Sequence, residues 1–106
     1  MTALTRIAKL PDVKSAVLGD LAGSYLDALE ERDGESVAAV MGFVATLLLR
    51  AGDELGLGAL HRISVSADAR ACVVLVDGDS LLTASIEPAR SLPTVEKALD
   101  AVQVKV

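Results

Sequence analysis

Between Val37 and Leu49 the chain reads Val-Ala-Ala-Val-Met-Gly-Phe-Val-Ala-Thr-Leu-Leu-Leu, a helix-like segment with almost no polar side. A surface helix buries one stripe and solvates the rest, so a helix apolar all round needs cover on both faces. A sheet from the same chain can supply one cover. In a chain of 106 residues the other is expected from a second polypeptide, which points to association rather than chemistry.

One domain is expected. Hydrophobic residues make up 52% of the chain and mean hydropathy is +0.48, enough for a core without metals or disulfides and too apolar for a disordered chain. The formal charge of −5 and pI near 4.7 argue against a nucleic-acid partner, because phosphate binding needs clustered Lys and Arg. With only Tyr25 and Phe43 as aromatics, stacking platforms for single strands are missing too. Cys72 is the sole cysteine, so one chain can build neither a disulfide nor a thiolate metal site, and a reducing, cytoplasmic location is expected. The first residues lack the uncharged apolar stretch of a secretion signal. The Val37 to Leu49 run is shorter than the roughly 20 residues of a membrane span and is closed by Arg50, Asp53 and Glu54, so no membrane insertion is expected.

Patterning gives the element order. Thr2 to Leu10 reads as a short helix stopped by Pro11. Val13 to Leu18 and Ser24 to Leu29 read as hairpin strands around Gly19-Asp20-Leu21-Ala22-Gly23, the second a partly solvated edge carrying Asp27. Asp33 and Ser36 are candidate N-caps of the long helix, with Glu35 near its positive end. That helix runs to about Leu55, where Gly56 and Gly58 end it. His61 to Ala67 alternates, with Ile63, Val65 and Ala67 inward and Arg62, Ser64 and Ser66 outward. Ala71 to Val76, apolar throughout, is a central strand covered on both sides. Asp77-Gly78-Asp79 turns into Ser80 to Ile86, and Ser91 caps a final helix from Leu92 to Leu99 with Pro93 in its first turn. The order α-β-β-α-β-β-β-α predicts an α/β fold, an α-β-α sandwich with a five-stranded antiparallel sheet.

At about 100° per residue, Val37, Val40, Met41, Val44, Leu48, Ala51 and Leu55 share one bulky face, expected to lie on the sheet. The opposite face holds Ala38, Ala39, Gly42, Phe43, Thr46, Leu49, Arg50 and Asp53. It offers small residues for close approach, one aromatic anchor and charges only near its end, and is expected to meet the partner.

Asp20-Leu-Ala-Gly23, Glu35-Ser-Val-Ala-Ala-Val40, Glu54-Leu-Gly-Leu-Gly-Ala-Leu60 and the strands Ile63-Ser-Val65, Val73-Val-Leu-Val76 and Leu81-Leu-Thr-Ala84 together resemble a roadblock/dynein-light-chain domain. The resemblance runs from Leu10 to Leu99, and Leu55-Gly-Leu-Gly58 is its most characteristic piece. It implies a homodimer, or a heterodimer with a paralogue, in which the long helices pack on each other and the following strands pair across the dimer axis. Transferred here, the contact falls on Ala38, Ala39, Gly42, Phe43, Thr46 and Leu49 of the helix, with Arg50 at its end, and on His61, Arg62, Ile63, Ser64, Val65 and Ser66 of the strand. The resemblance, to the prokaryotic members above all, further implies a regulator or scaffold of a small Ras-like GTPase.

Other chemistries are weakly supported. Gly56-Leu-Gly58 ends a helix rather than opening one, so it does not form a phosphate-binding loop. His61, the only imidazole, has no nucleophile or ligand cluster near it in sequence. Cys72 lies among Val and Ala, where burial disfavours the thiolate. Arg50 reads either as a partner contact or as a helix-end cation paired with Asp53 or Glu54. No cofactor, metal site or active site is expected.

Overall fold

Alternation along five strands sorts the apolar side chains of this chain into two layers, and each layer takes a helical cover. The computed structural model describes residues 3–100; Thr2, the expected start of the first helix, lies outside them. The elements are α1 (Ala3–Ala8), β1 (Val13–Asp20), β2 (Tyr25–Leu29), α2 (Gly34–Glu54), β3 (Arg62–Ser66), β4 (Ala71–Asp77), β5 (Ser80–Ile86) and α3 (Leu92–Leu99). All strand pairs are antiparallel, in the spatial order β2-β1-β5-β4-β3. The expected α-β-α sandwich is the fold observed, with β2 and β3 at its two edges.

The main core lies between the sheet and the pair α1 and α3. Leu4 and Ile7 from α1 and Val95 and Leu99 from α3 close over Val73, Leu75, Leu82, Ala84 and Ile86. On the other side Val74, Val76 and Leu81 meet Ala45 of α2, with Met41, Leu60 and Ile63 packed around them. Residues 73–76 of β4 are therefore buried on both faces, as their unbroken apolar run requires.

The orientation of α2 differs from expectation. Its buried residues are Gly34, Ala38, Gly42 and Ala45, while Val40, Phe43, Leu47, Leu48 and Leu55 are exposed. Bulk points outward and smallness points at the sheet. The cause is the closeness of α2 to the β1–β2 turn. A Cβ on Gly42 would lie 2.8 Å from both the backbone N and Cα of Gly23 and 3.0 Å from the Asp20 carbonyl oxygen. Gly23 itself has φ +85°, with Ala39 Cα 3.3 Å from where its Cβ would stand. At that spacing no large side chain fits, so the usual rule of bulky residues inward is reversed.

Helix α2 also extends beyond the apolar run, to 21 residues, which by length and composition is enough to cross a membrane. The expectation that it is too short for a span therefore does not hold. What places it as a layer of the domain is its small-residue stripe, seated on the sheet.

Candidate functional site

Helix α2 stops where its glycines allow a left-handed residue. Gly56 takes φ +70°, its N–H donates to the Asp53 carbonyl at 3.2 Å, and the Leu57 N–H reaches back to the Gly52 carbonyl at 2.9 Å. This is the double hydrogen bond of a Schellman ending. It presents carbonyls rather than N–H groups, so this bend does not build a phosphate cradle. The chain then swings past Leu57 and Gly58 and enters β3, leaving a groove of about 320 Å³ lined by Leu48, Ala51, Leu55, Leu57, Leu60 and Ile63 among others. Leu55 and Leu57 are each 73% exposed, far more than apolar side chains with a partner in their own domain.

Beside this groove lies the open edge of the sheet. The Val76 N–H donates to the His61 carbonyl at 2.9 Å and the Ala67 N–H to the Arg70 carbonyl at 2.9 Å. Antiparallel geometry alternates such pairs, so His61, Ile63, Val65 and Ala67 turn their backbone groups toward β4. The backbone groups of Arg62, Ser64 and Ser66 then point out along the free edge. Their side chains follow the other alternation and face α3: Arg62 pairs with Asp100 at 2.9 Å, and the Ser64 hydroxyl donates to Glu96 at 3.1 Å. Ile63 and Val65 face the α2 side, where Val65 is 52% exposed. An apolar groove thus runs alongside an unpaired strand edge.

A second exposed surface lies on the crest of α2. Leu48 and Leu55 look toward β3, whereas on the other flank the Thr46 hydroxyl donates to the carbonyls of Gly42 and Leu21 and Ala39 abuts Gly23. Phe43 stands between these flanks and is 65% exposed. Val40 and Leu47 accompany it, and Arg50 is exposed one turn or so beyond.

The residues expected at a partner contact are therefore divided. Ala38 and Gly42 are buried on the sheet and are withdrawn from the contact, because the hairpin already covers them. Leu49 is half-buried at the margin of that stripe; Ala39, Phe43, Thr46 and Arg50 are exposed. Arg62, Ile63, Ser64, Val65 and Ser66 form the edge strand, and His61 just precedes it. Exposed leucines that the sequence reading did not place on the outer surface are Leu47, Leu48, Leu55 and Leu57. The signal was present in the Leu47-Leu48-Leu49 run, which places leucines around much of the helix circumference, and in the leucines flanking Gly56.

Cys72 is half-buried on β4, opposite Val65, rather than fully packed in the core. Burial pushes its thiol pKa up from the ordinary value, lowering the thiolate fraction at a given pH. Alkylation by iodoacetamide at pH 8 is expected to run several-fold slower in the folded domain than in the urea-unfolded chain, with the rates converging at higher pH. Equal rates at pH 8 would show that burial does not govern this thiol.

A small-residue helix over a five-stranded antiparallel sheet, with two helices beneath and the strand after the long helix left at an edge, is the roadblock fold. No family model matches the chain, and no curated protein matches it by sequence. Similarity to solved structures is extensive. Myxococcus xanthus MglB superposes with a TM-score of 0.79 at 15% identity, over 90% of this chain and 80% of that one. The gliding protein MglB of Thermus thermophilus gives 0.76 at 15% identity, over 96% and 83%. A Roadblock/LC7 domain from Streptomyces avermitilis gives 0.73 at 16% identity, over 92% of both chains.

Proposed function

We propose that this protein is a dimeric regulator of a small Ras-like GTPase, with no active site of its own. The observation that carries the dimer is the continuity of the α2 groove with the open β3 edge. A second copy related by a two-fold axis would pair β3 with β3, satisfying the outward backbone groups of Arg62, Ser64 and Ser66, and would bring its own Leu48, Leu55 and Leu57 onto the first copy's. One symmetric contact then answers both the unpaired strand edge and the exposed leucines. A paralogue with the same features would serve in place of the identical copy.

The likeness to the MglB structures supports a roadblock-type domain, and the regulatory reading follows what the resemblance to prokaryotic roadblock domains implies. Regulation here would operate through surface contact, at the apolar groove and the strand edge described above. The deciding experiment measures single-turnover GTP hydrolysis by purified Ras-like GTPases of the same genome, with and without this protein. A change of about tenfold or more, the scale of about 1.4 kcal/mol in barrier height, is the expected result for the cognate GTPase. Binding with unchanged hydrolysis and nucleotide exchange would instead make the protein a scaffold.

A further inference from the structure

The sheet has a second open edge, on β2, and the ladder fixes how its backbone is turned. The Val76 N–H donates to the His61 carbonyl, so Val76 turns its backbone groups to β3 and Leu75 turns its own to β5. Carried through the registers of β4, β5 and β1, the same alternation turns Val17 and Gly19 toward β5 and Leu18 and Asp20 toward β2. The Asp20 N–H, which donates to the Ser24 carbonyl at 3.2 Å, agrees. Ala28 is registered against Val17 and Tyr25 against Gly19, so both present their backbone groups to the free edge. The outward N–H of Ala28 is already engaged: it donates to the Asp27 carboxylate at 2.8 Å.

Side chains on this edge divide between the two faces of the sheet. Tyr25 stands on the α2 side, its ring 2.7 Å from where a Cβ on Gly34 would lie. Asp27 is registered against Leu18, which packs in the core beside α1, and directly opposite residues share a face. Tyr25 is 42% and Leu26 55% exposed, large side chains left at the edge. Residues 27–33 carry Asp27, Glu30, Glu31 and Asp33 against Arg32. Among the described residues the ion pairs are Arg62 with Asp100 and Arg70 with Glu87, so neither Arg32, nor Lys14 of β1, nor Arg6 and Lys9 beside α1 pairs with this run.

A charged edge resists pairing with another strand. Here the charge is of one sign, so it excludes a second β2, whose carboxylates would meet the first copy's, and favours a strand of opposite sign. We propose that β2 receives an extended segment of a protein partner, bearing Lys or Arg, as a further strand of the sheet. Its cations take the α1 side, beside Asp27, and its apolar residues the α2 side, beside Tyr25, an alternation that any strand supplies. A cation meeting Asp27 draws the carboxylate off the Ala28 N–H, which then donates to a carbonyl of the incoming strand. Asp27 is thus a latch, occupying the edge donor until a cation is offered. Main-chain hydrogen bonds supply the affinity and alternate side chains the selectivity, as in strand addition generally. Strand β2 lies at the opposite end of the sheet from β3, so this contact is independent of the dimer and of the regulator reading.

The test titrates a fluorescent peptide of alternating Lys and Val, about seven residues and so one strand long, against the full chain by anisotropy. Two controls run beside it: a Glu/Val peptide, and the Lys/Val peptide N-methylated throughout, which keeps its charge but cannot approach as a strand. The Lys/Val peptide should bind at least about tenfold tighter than either. Asp27→Asn should weaken it and flatten its dependence on salt, and Asp27→Lys, at an exposed position, should weaken it by about tenfold or more. Amide exchange read by nuclear magnetic resonance locates the contact. Exchange at Tyr25 and Ala28 should slow several-fold with the peptide bound, while Arg62 and Ser64 on the other edge stay unchanged. Equal binding of either control, indifference to Asp27→Lys, or protection at Ser64 in place of Ala28 overturns the proposal. So does a peptide-free species larger than a dimer that Asp27→Lys disperses, since the edge would then belong to a second copy.

Discussion

Gly42→Ala is expected to destabilise the fold by about 1–3 kcal/mol, the range for forcing an extra carbon into a packed site, although glycine in a helix interior is ordinarily the weaker residue by about 0.5–1 kcal/mol. The reversal follows from what the added Cβ would meet. Its nearest neighbours, at 2.8 Å and 3.0 Å, are backbone atoms of Gly23 and Asp20, which cannot rotate aside as a flexible side chain would. That turn is held from within: the Ser24 N–H donates to the Asp20 carboxylate at 2.9 Å, and the Gly23 N–H to the Asp20 carbonyl at 3.0 Å. Helix and hairpin must separate, which loosens the contact of Ala38 and Ala45 with the sheet. Gly52→Ala is the matched control, since a Cβ there has only the Gly58 carbonyl oxygen near it, at an ordinary 3.9 Å. It should stabilise the protein by up to about 1 kcal/mol. Urea unfolding of both variants at one protein concentration measures the pair. A stabilised Gly42→Ala would return the small-residue face of α2 to solvent and undo the packing described above.

Element order and element type were legible because period-two alternation and turn residues act locally. Val73 to Val76 could only be a strand covered on both sides, and Asp77-Gly78-Asp79 could only turn. The fold followed from such segments, together with the resemblance they carry. The face of α2 was not legible by the same means. Local patterning ranks Val40, Leu48 and Leu55 as core residues because they are large and apolar, but burial is decided by how closely the β1–β2 turn approaches, a tertiary fact that overrides size. The glycines were the one available hint: Gly19 and Gly23 of the hairpin turn lie against Ala38 and Ala39, and Gly42, distant from them in sequence, lies against Gly23. Reading Gly42 as a contact for a second chain recognised a close approach but assigned it to the wrong surface. Phe43 was correctly placed outside, since an aromatic next to the small-residue stripe has no room on the sheet side. The open edge of β3 was legible in part: alternation separated Ile63 and Val65 from Arg62 and Ser64, but Val65, expected inward, is 52% exposed and Arg62, expected outward, is half-buried in its pair with Asp100, and which backbone groups point outward required the ladder itself.

Leu48→Asp should turn the proposed dimer into a monomer, while Phe43→Asp leaves its mass unchanged. Leu48 is 40% exposed and borders the groove beside β3, so a carboxylate there remains solvated in the isolated domain and the fold persists. In the proposed dimer it would enter an apolar contact without a cation to pair with. Loss of an interface anchor costs about 2 kcal/mol or more, and a two-fold contact carries the substitution twice. The resulting loss of about 4 kcal/mol corresponds to about a thousandfold in the dissociation constant. Ser64→Pro tests the strand half of the contact on its own. The Ser64 N–H points away from β4, so proline removes no hydrogen bond of the β3–β4 ladder, and edge strands tolerate proline in that position. The hydroxyl bond to Glu96 is exposed and its loss costs little. In sedimentation velocity across a range of concentrations, wild type and Phe43→Asp should run as dimers, and Leu48→Asp and Ser64→Pro as monomers with unchanged far-ultraviolet circular dichroism. If Phe43→Asp dissociates while Leu48→Asp does not, the two surfaces of α2 exchange roles: the crest becomes the self-contact, and the flank facing β3 is left for the partner.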